Sequence, residues 1–216
     1  ERAAIEANRR TGGDLLIATE TFPEINLSDF FEVFQAEHPD LRCTFSHLYF
    51  DAVLEGVVSG KFDVGFVRSF ELTEELPSIK VALLKKNEMG LLVSRRHPLA
   101  KQPSVRLADL HDETFLFLDL HRNFHHSIFY EAAKRASSRV ADELPATLDA
   151  LLFLVGQNRG VTLSGGSLTN FYSGRDICFL PIEDLDTGYY ISAIYNGRTE
   201  KSSLQTMLNA VKAYFA

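Results

Sequence analysis

The sequence predicts an α/β protein made of two Rossmann-like lobes joined by two crossover strands. Three observations lead there. Between Leu15 and Arg68, short apolar runs alternate with amphipathic stretches at helical spacing, the pattern of a parallel sheet built from strand–helix–strand units. From Ile79 the text changes to two apolar runs closed by Arg95-Arg96-His97-Pro98, a charged, proline-bearing boundary between lobes. Beyond it the alternation resumes, then ends in a return strand and a last helix.

In the first lobe, Leu15-Leu16-Ile17-Ala18 reads as a buried strand. Pro23 suits the first turn of a helix. That helix carries Leu27, Phe30, Phe31 and Phe34 on one face and ends before Pro39. Leu41, Cys43 and Phe45 then alternate with Arg42, Thr44 and Ser46, which is strand spacing. Phe50, Val53, Leu54, Val57 and Val58 fall at i, i+3, i+4, i+7 and i+8, one helical stripe. Ser59-Gly60 stops that helix, because Gly accepts the left-handed conformation needed past a C-terminus. Asp63-Val64-Gly65-Phe66-Val67 follows as a strand covered on both faces and ends on Arg68.

In the crossing, Ile79, Val81 and Leu83 alternate, residues 85–88 read as a polar break, and Met89 to Val93 form a second run. The second lobe offers a strand at Phe115-Leu116-Phe117-Leu118, a helix over residues 128–135 and a short strand near Val140. Leu148, Leu151, Leu152 and Val155 form a helical stripe. Gly160-Val161-Thr162-Leu163 and Cys178-Phe179-Leu180-Pro181 are strands, and Tyr189 to Tyr195 is the return strand. Ser202 and Gln205 read as a capping box for the last helix, with Leu204, Leu208, Val211 and Phe215 inward.

A chain of 216 residues is long enough for two small lobes with real cores. At 45% hydrophobic and 24% charged, its composition is that of a globular protein. A net charge of −7 argues against this chain gripping a phosphate backbone, which needs clustered Lys and Arg. No apolar run approaches membrane-spanning length, and residues 1–5 show no apolar core of a signal peptide. The two cysteines, Cys43 and Cys178, lack metal-like spacing and are expected as buried free thiols in different lobes, beyond disulfide reach. Such sparse cysteine use suits a reducing compartment, hence a cytoplasmic protein.

Several pieces, taken in order, carry a resemblance: Gly13-Asp14-Leu15-Leu16-Ile17-Ala18, residues 60–66, Glu88 to Val93, and His97-Pro98-Leu99-Ala100. Val105-Arg106-Leu107-Ala108-Asp109-Leu110 and the glycine-paired stretch from Val155 to Leu163 complete the set. Together the chain resembles the effector-binding (regulatory) domain of LysR-type transcriptional regulators over nearly its whole length. The resemblance implies a periplasmic-binding-protein-like (type 2) architecture. Residues 1–12, helix-prone and charged up to Thr11-Gly12, would be the end of a linker helix. Residues 13–94 with 189–216 would form the first lobe and 95–188 the second. It also implies a homodimer or homotetramer, and DNA contact only through a winged helix-turn-helix outside this chain. One departure is Leu163-Ser164-Gly165-Gly166, where the family carries Leu-Pro after the glycine-containing strand; the loop here is more open.

In parallel α/β sheets, ligands sit beyond the carboxyl ends of strands. Those ends carry Thr19, Glu20, Thr21 and Phe22; Ser46 and His47; Arg68; Asp119 and Arg122; and Ser164. Hydroxyls and backbone donors dominate, with Arg68 and Arg122 able to fork onto a carboxylate. By the resemblance, the inducer cleft lies at the first of these loops, so Thr19 and Thr21 are expected contacts of a small effector. Glu20 disfavours a highly charged anion, leaving a small carboxylate of one or two charges. No cofactor or metal is expected: His125 and His126 are adjacent and point apart on a helix, and neither they, His111 nor His121 has ligand spacing. Nor is an enzyme expected, since Ser164-Gly165-Gly166-Ser167 makes no nucleophile elbow. The competing reading is a solute-binding protein of a transport system, which shares the two-lobed architecture.

Overall fold

Leu15, Ile17 and Ala18 have no exposed surface, so the strand that carries them is covered on both faces. This strand, β1 (Asp14–Glu20), is an inner strand of its sheet. The computed structural model describes residues 13–20, 27–69, 72, 76–118, 128–137, 139–141, 145–166, 176–185 and 188–215. The chain divides into two compact units, residues 1–86 with 190–216 and residues 87–189.

In the first unit β1 pairs in parallel with β2 (Arg42–Leu48) and with β3 (Val64–Arg68). Helix α1 (Ser28–Glu37) joins β1 to β2, and α2 (Phe50–Val58) joins β2 to β3. Strand β7 (Gly188–Asn196) returns antiparallel to β3 and lies beside β4 (Ile79–Ser94), giving the order β2-β1-β3-β7-β4. The predicted strand–helix alternation is thus present, with bounds shifted by a few residues.

Helix α2 buries Val53 and Val57 against Ala18, Val67 and Ile194. Gly65 permits that approach: a Cβ there would stand 2.5 Å from Val53 Cγ1 and 3.0 Å from Ile194 Cγ1. The helix stops at Gly60, whose φ of 74° is the left-handed conformation expected of it. Helix α1 and the last helix, α5 (Ser202–Tyr214), cover the sheet together. Phe30 meets Tyr214 at 5.5 Å, and Phe31 meets Phe45 at 4.6 Å and Phe66 at 6.0 Å, edge to face. Phe30, Phe31 and Phe34 of α1 are therefore all buried in the first unit.

The capping box expected at Ser202 and Gln205 does not form. Helix α5 begins at Ser202, so the cap position falls on Lys201, which makes no side-chain cap bond. A stronger interaction places it there. Lys201 Nζ sits 2.8 Å from Asp63 Oδ2, with only 5% of its side chain exposed, and the same oxygen accepts from the Leu16 N–H at 2.8 Å. One carboxylate thereby ties the start of β3 to β1 and to α5.

In the second unit the later part of β4 pairs antiparallel with β5 (Thr162–Gly165) and β6 (Ile177–Pro181). Phe115 forms parallel bridges with Val140 and Val161. Helices α3 (Ile128–Ala136) and α4 (Leu148–Gly156) belong to this unit. Leu151, Leu152 and Val155 of α4 pack with Leu92, Leu116 and Ile177 as its core. Gly90 is the tight point here: a Cβ would lie 2.2 Å from the Phe179 ring and 2.6 Å from the Leu180 carbonyl.

The crossing itself differs from expectation. Strand β4 runs unbroken through residues 85–88, and its buried residues in the first unit are Ala82 and Leu84. Val81 and Leu83 are 46% and 56% exposed, the reverse of the face read from alternation. After exposed Lys85 and Lys86 the buried set becomes Asn87 and Met89, so parity switches within one strand. That switch coincides with the passage between units at Lys86–Asn87, eight residues before the boundary expected at residue 94. Cys43 and Cys178 are free and lie in different units, but both are half-buried, not buried.

Candidate functional site

The carboxyl ends of β1, β2 and β3 carry five of the expected polar residues in the first unit: Thr19, Glu20, Ser46, His47 and Arg68. Parallel register sets Thr19 opposite His47 and Ala18 opposite Ser46. Thr19 is buried, His47 is exposed, and Thr19 Oγ1 lies 2.6 Å from His47 Nδ1. One proton is shared across this pair, donated by the hydroxyl to a bare Nδ1 or by a protonated Nδ1 to the oxygen. The hydroxyl is thus already oriented by the ring beside it.

Glu20 and Arg68 are both buried and bonded to each other. Arg68 Nε donates to Glu20 Oε1 at 3.1 Å and Nη2 pairs with the same oxygen, while the Arg68 backbone N–H donates to Oε2 at 3.1 Å. Glu20 thus already accepts from the Arg68 guanidinium. A carboxylate from outside would have to displace a buried, charge-assisted contact.

In the second unit Ser164 is buried on β5, in register with Gly90 of β4. Thr21, Phe22, Asp119 and Arg122 lie outside the described residues, as do His121, His125 and His126. His111 contacts Asp112 at 2.9 Å on the surface. Among the described residues, no group of three or more His, Cys, Asp or Glu could hold a metal ion.

Two polar contacts were not read from sequence. Ser69 Oγ accepts from the Tyr190 N–H at 2.9 Å, and Asn87 Nδ2 donates to Tyr189 Oη at 3.1 Å with both residues buried. The signal for the second was present. A polar Asn87 falls two residues before the apolar Met89, on the same face of the strand, and a buried amide needs a partner.

The thiols show the effect of their surroundings. Burial raises the Cys43 pKa, and burial raises that of Cys178 against the opposing pull of Arg95. Both are therefore poor nucleophiles at neutral pH.

Against known proteins, the family described as LysR substrate binding domain matches residues 11–216. A curated relative, the uncharacterized HTH-type transcriptional regulator YnfL of Escherichia coli, is 30% identical over 111 residues, covering 50% of this chain and 36% of its own. The match thus spans about a third of that relative's length. Among solved structures, a full-length BenM variant is similar with a TM-score of 0.79 at 20% identity, over 99% of this chain and 72% of that one. The BenM effector-binding domain with its effector benzoate gives 0.79 at 22% identity, over 94% and 92%. The fold is the periplasmic-binding-protein-like type 2 fold of these effector-binding domains. The chain belongs to the LysR substrate-binding domain family.

Proposed function

We propose that this chain is the ligand-sensing domain of a LysR-type transcriptional regulator. A small effector binds at the carboxyl ends of the strands and alters DNA binding by a winged helix-turn-helix carried elsewhere in a longer protein. The observation that carries this reading is the family match over residues 11–216, joined to a polar cluster at the strand ends of the first unit. BenM's domain holds benzoate, a small monocarboxylate, which supports the same class of effector here.

Thr19, Ser46, His47 and Ser164 are the contacts proposed among the described residues, with Thr21, Phe22, Asp119 and Arg122 completing the set. Glu20 and Arg68 shape the site as a neutral pair. With Arg68 so occupied, hydroxyls, the His47 ring and backbone N–H groups take the carboxylate, and a singly charged effector fits best. The domain acts without cofactor and without catalysis. It works in the cytoplasm as a homodimer or homotetramer. Among the described residues no helix is long and apolar enough to cross a membrane. The transport reading gains no support from these relatives.

The test is a thermal-shift screen of small organic acids that includes benzoate. A ligand at a hundredfold over its Kd adds about 2.7 kcal/mol of apparent stability. Calorimetry then compares the chain with Thr19→Val, which should weaken binding about tenfold for a lost buried hydrogen bond. An unshifted melt across the screen, or an affinity indifferent to Thr19→Val, removes this site.

A further inference from the structure

The residues at the two passages between units are tied in an ordered way. Asn87 is the first residue of the second unit and Tyr189 the last. Their side chains are joined by the buried 3.1 Å hydrogen bond between Asn87 Nδ2 and Tyr189 Oη. The Tyr189 ring also meets Phe129 of α3 edge to face at 5.7 Å. The very next residue belongs to the first unit, where the Tyr190 N–H donates to Ser69 Oγ, just past β3. Adjacent residues of one strand are thus anchored to different bodies. On the other strand, the parity of burial changes between Leu84 and Asn87, across exposed Lys85 and Lys86.

We propose that the Asn87–Tyr189 bond is a clasp that defines the pivot between the units. The clasped pair moves with the second unit, and backbone rotation is concentrated at the Lys86–Asn87 and Tyr189–Tyr190 links. Because the bond is buried and joins the entering strand to the leaving one, the two crossings turn together and not independently. Helix α3 follows directly in sequence on residues 119–127, which carry Asp119 and Arg122, and it reaches the clasp through Phe129. Asn87 and Tyr189 are therefore positioning residues, which act through the pivot to set how far effector binding is transmitted. That last step rests on the sensing function proposed above; the clasp itself does not.

The experiment uses the whole 216-residue chain with no effector, so its failure is separate from any failure of the sensing reading. Spin labels go on Glu32→Cys in α1 and Lys134→Cys in α3, both exposed positions, in a Cys43→Ser, Cys178→Ser background. Tyr189→Phe keeps the ring against Phe129 and removes only the hydroxyl. It should broaden the distribution of distances between the labels, whereas Tyr195→Phe, elsewhere on β7, should not. Unlabelled Tyr189→Phe should also exchange its amide hydrogens about fivefold faster at residues 86–88 and 189–190, the change one lost hydrogen bond gives. Exchange at Leu15 to Ala18 and at Val161 to Leu163 should stay unchanged. A Tyr189→Phe distribution as narrow as the parent's, an equal broadening in Tyr195→Phe, or faster exchange spread over both units overturns the clasp.

Discussion

In the first unit the strands are tied at both ends by ion pairs, one buried on both sides and one buried on its lysine side. Asp63 with Lys201 holds the amino end of β3, and Glu20 with Arg68 holds the carboxyl ends of β1 and β3. In the second unit the same work falls to hydroxyls bonded to main chain. Ser137 Oγ donates to the carbonyls of Glu113 and His111 at 2.9 and 3.1 Å, and Ser94 Oγ donates to that of Gly156 at 3.1 Å. The ion pairs Arg96–Asp176 and Arg139–Asp112 of that unit have both side chains more than half exposed. His97 Nδ1 accepts from the Leu99 N–H, and its Nε2 lies 3.2 Å from Glu113 Oε2. The first unit is thus fastened by charge pairs, and the second by hydroxyls with help from exposed charges, since Arg96 Nη2 also donates to the Gly156 carbonyl at 2.8 Å. The difference lies in how they fail: a broken buried ion pair leaves an uncompensated charge, whereas a lost hydroxyl costs only neutral hydrogen bonds.

The largest effect should come from splitting the Asp63–Lys201 pair. Asp63→Ala strands an ammonium that is 5% exposed and also removes the acceptor of the Leu16 N–H, a loss of about 3–5 kcal/mol in urea unfolding. Adding Lys201→Met to Asp63→Asn should recover most of that loss, since both charges leave together and an amide oxygen remains for Leu16. If the double variant is as weak as Asp63→Ala, charge is not what fastens this unit. Next comes Glu20→Gln, which keeps the shape but leaves the Arg68 guanidinium buried without its anion. A cost of about 3 kcal/mol is expected, read from the urea midpoint. A near-neutral result would mean that the Glu20 charge is not what holds the Arg68 guanidinium in place.

In the second unit Gly90→Ala should cost about 1–3 kcal/mol by overpacking against Phe179. Ser137→Ala should cost about 1 kcal/mol, and a value near that of Glu20→Gln would erase the contrast between the units. The smallest effect concerns the thiols. With both pKa values raised by burial, thiolate is scarce at neutral pH and appears only as pH rises past the ordinary thiol value. Alkylation of either cysteine at pH 7 should therefore run slower than that of a free cysteine, and oxidation should leave gel mobility unchanged. Fast modification of Cys43 at pH 7 would contradict this.

The legible parts of the chain were those written locally. Helix α2 declares itself by its stripe and by Gly60, and β3 by its apolar run. What sequence reading missed depends on partners far away in the chain. Arg68 looked available because Glu20, its partner, lies 48 residues earlier, and register alone brings their strand ends together. The cap of α5 was misplaced because a local rule sees Ser202 and Gln205 but not Asp63, 138 residues from Lys201. Strand β4 was misread because one strand serves two cores, so no single alternation describes its faces. Of the candidate site, Thr19, Ser46 and His47 follow from strand ends in register, while the chemical state of Arg68 does not.

The path of the chain through the units also sets an order of assembly at the ribosome. Residues 87–189 are contiguous and can fold once they have emerged, whereas the first unit lacks β7 and α5 until residues 190–216 appear. At translation rates of about 5–20 residues per second, the sheet edge of β3 and the Asp63 carboxylate wait on the order of seconds or longer for their partners. During that interval the nascent first unit presents β3, Val64 to Val67, with one edge unpaired, the kind of edge that chaperones shield and that aggregation exploits. Truncation within α5 should therefore lower soluble yield more than its lost contacts alone would suggest.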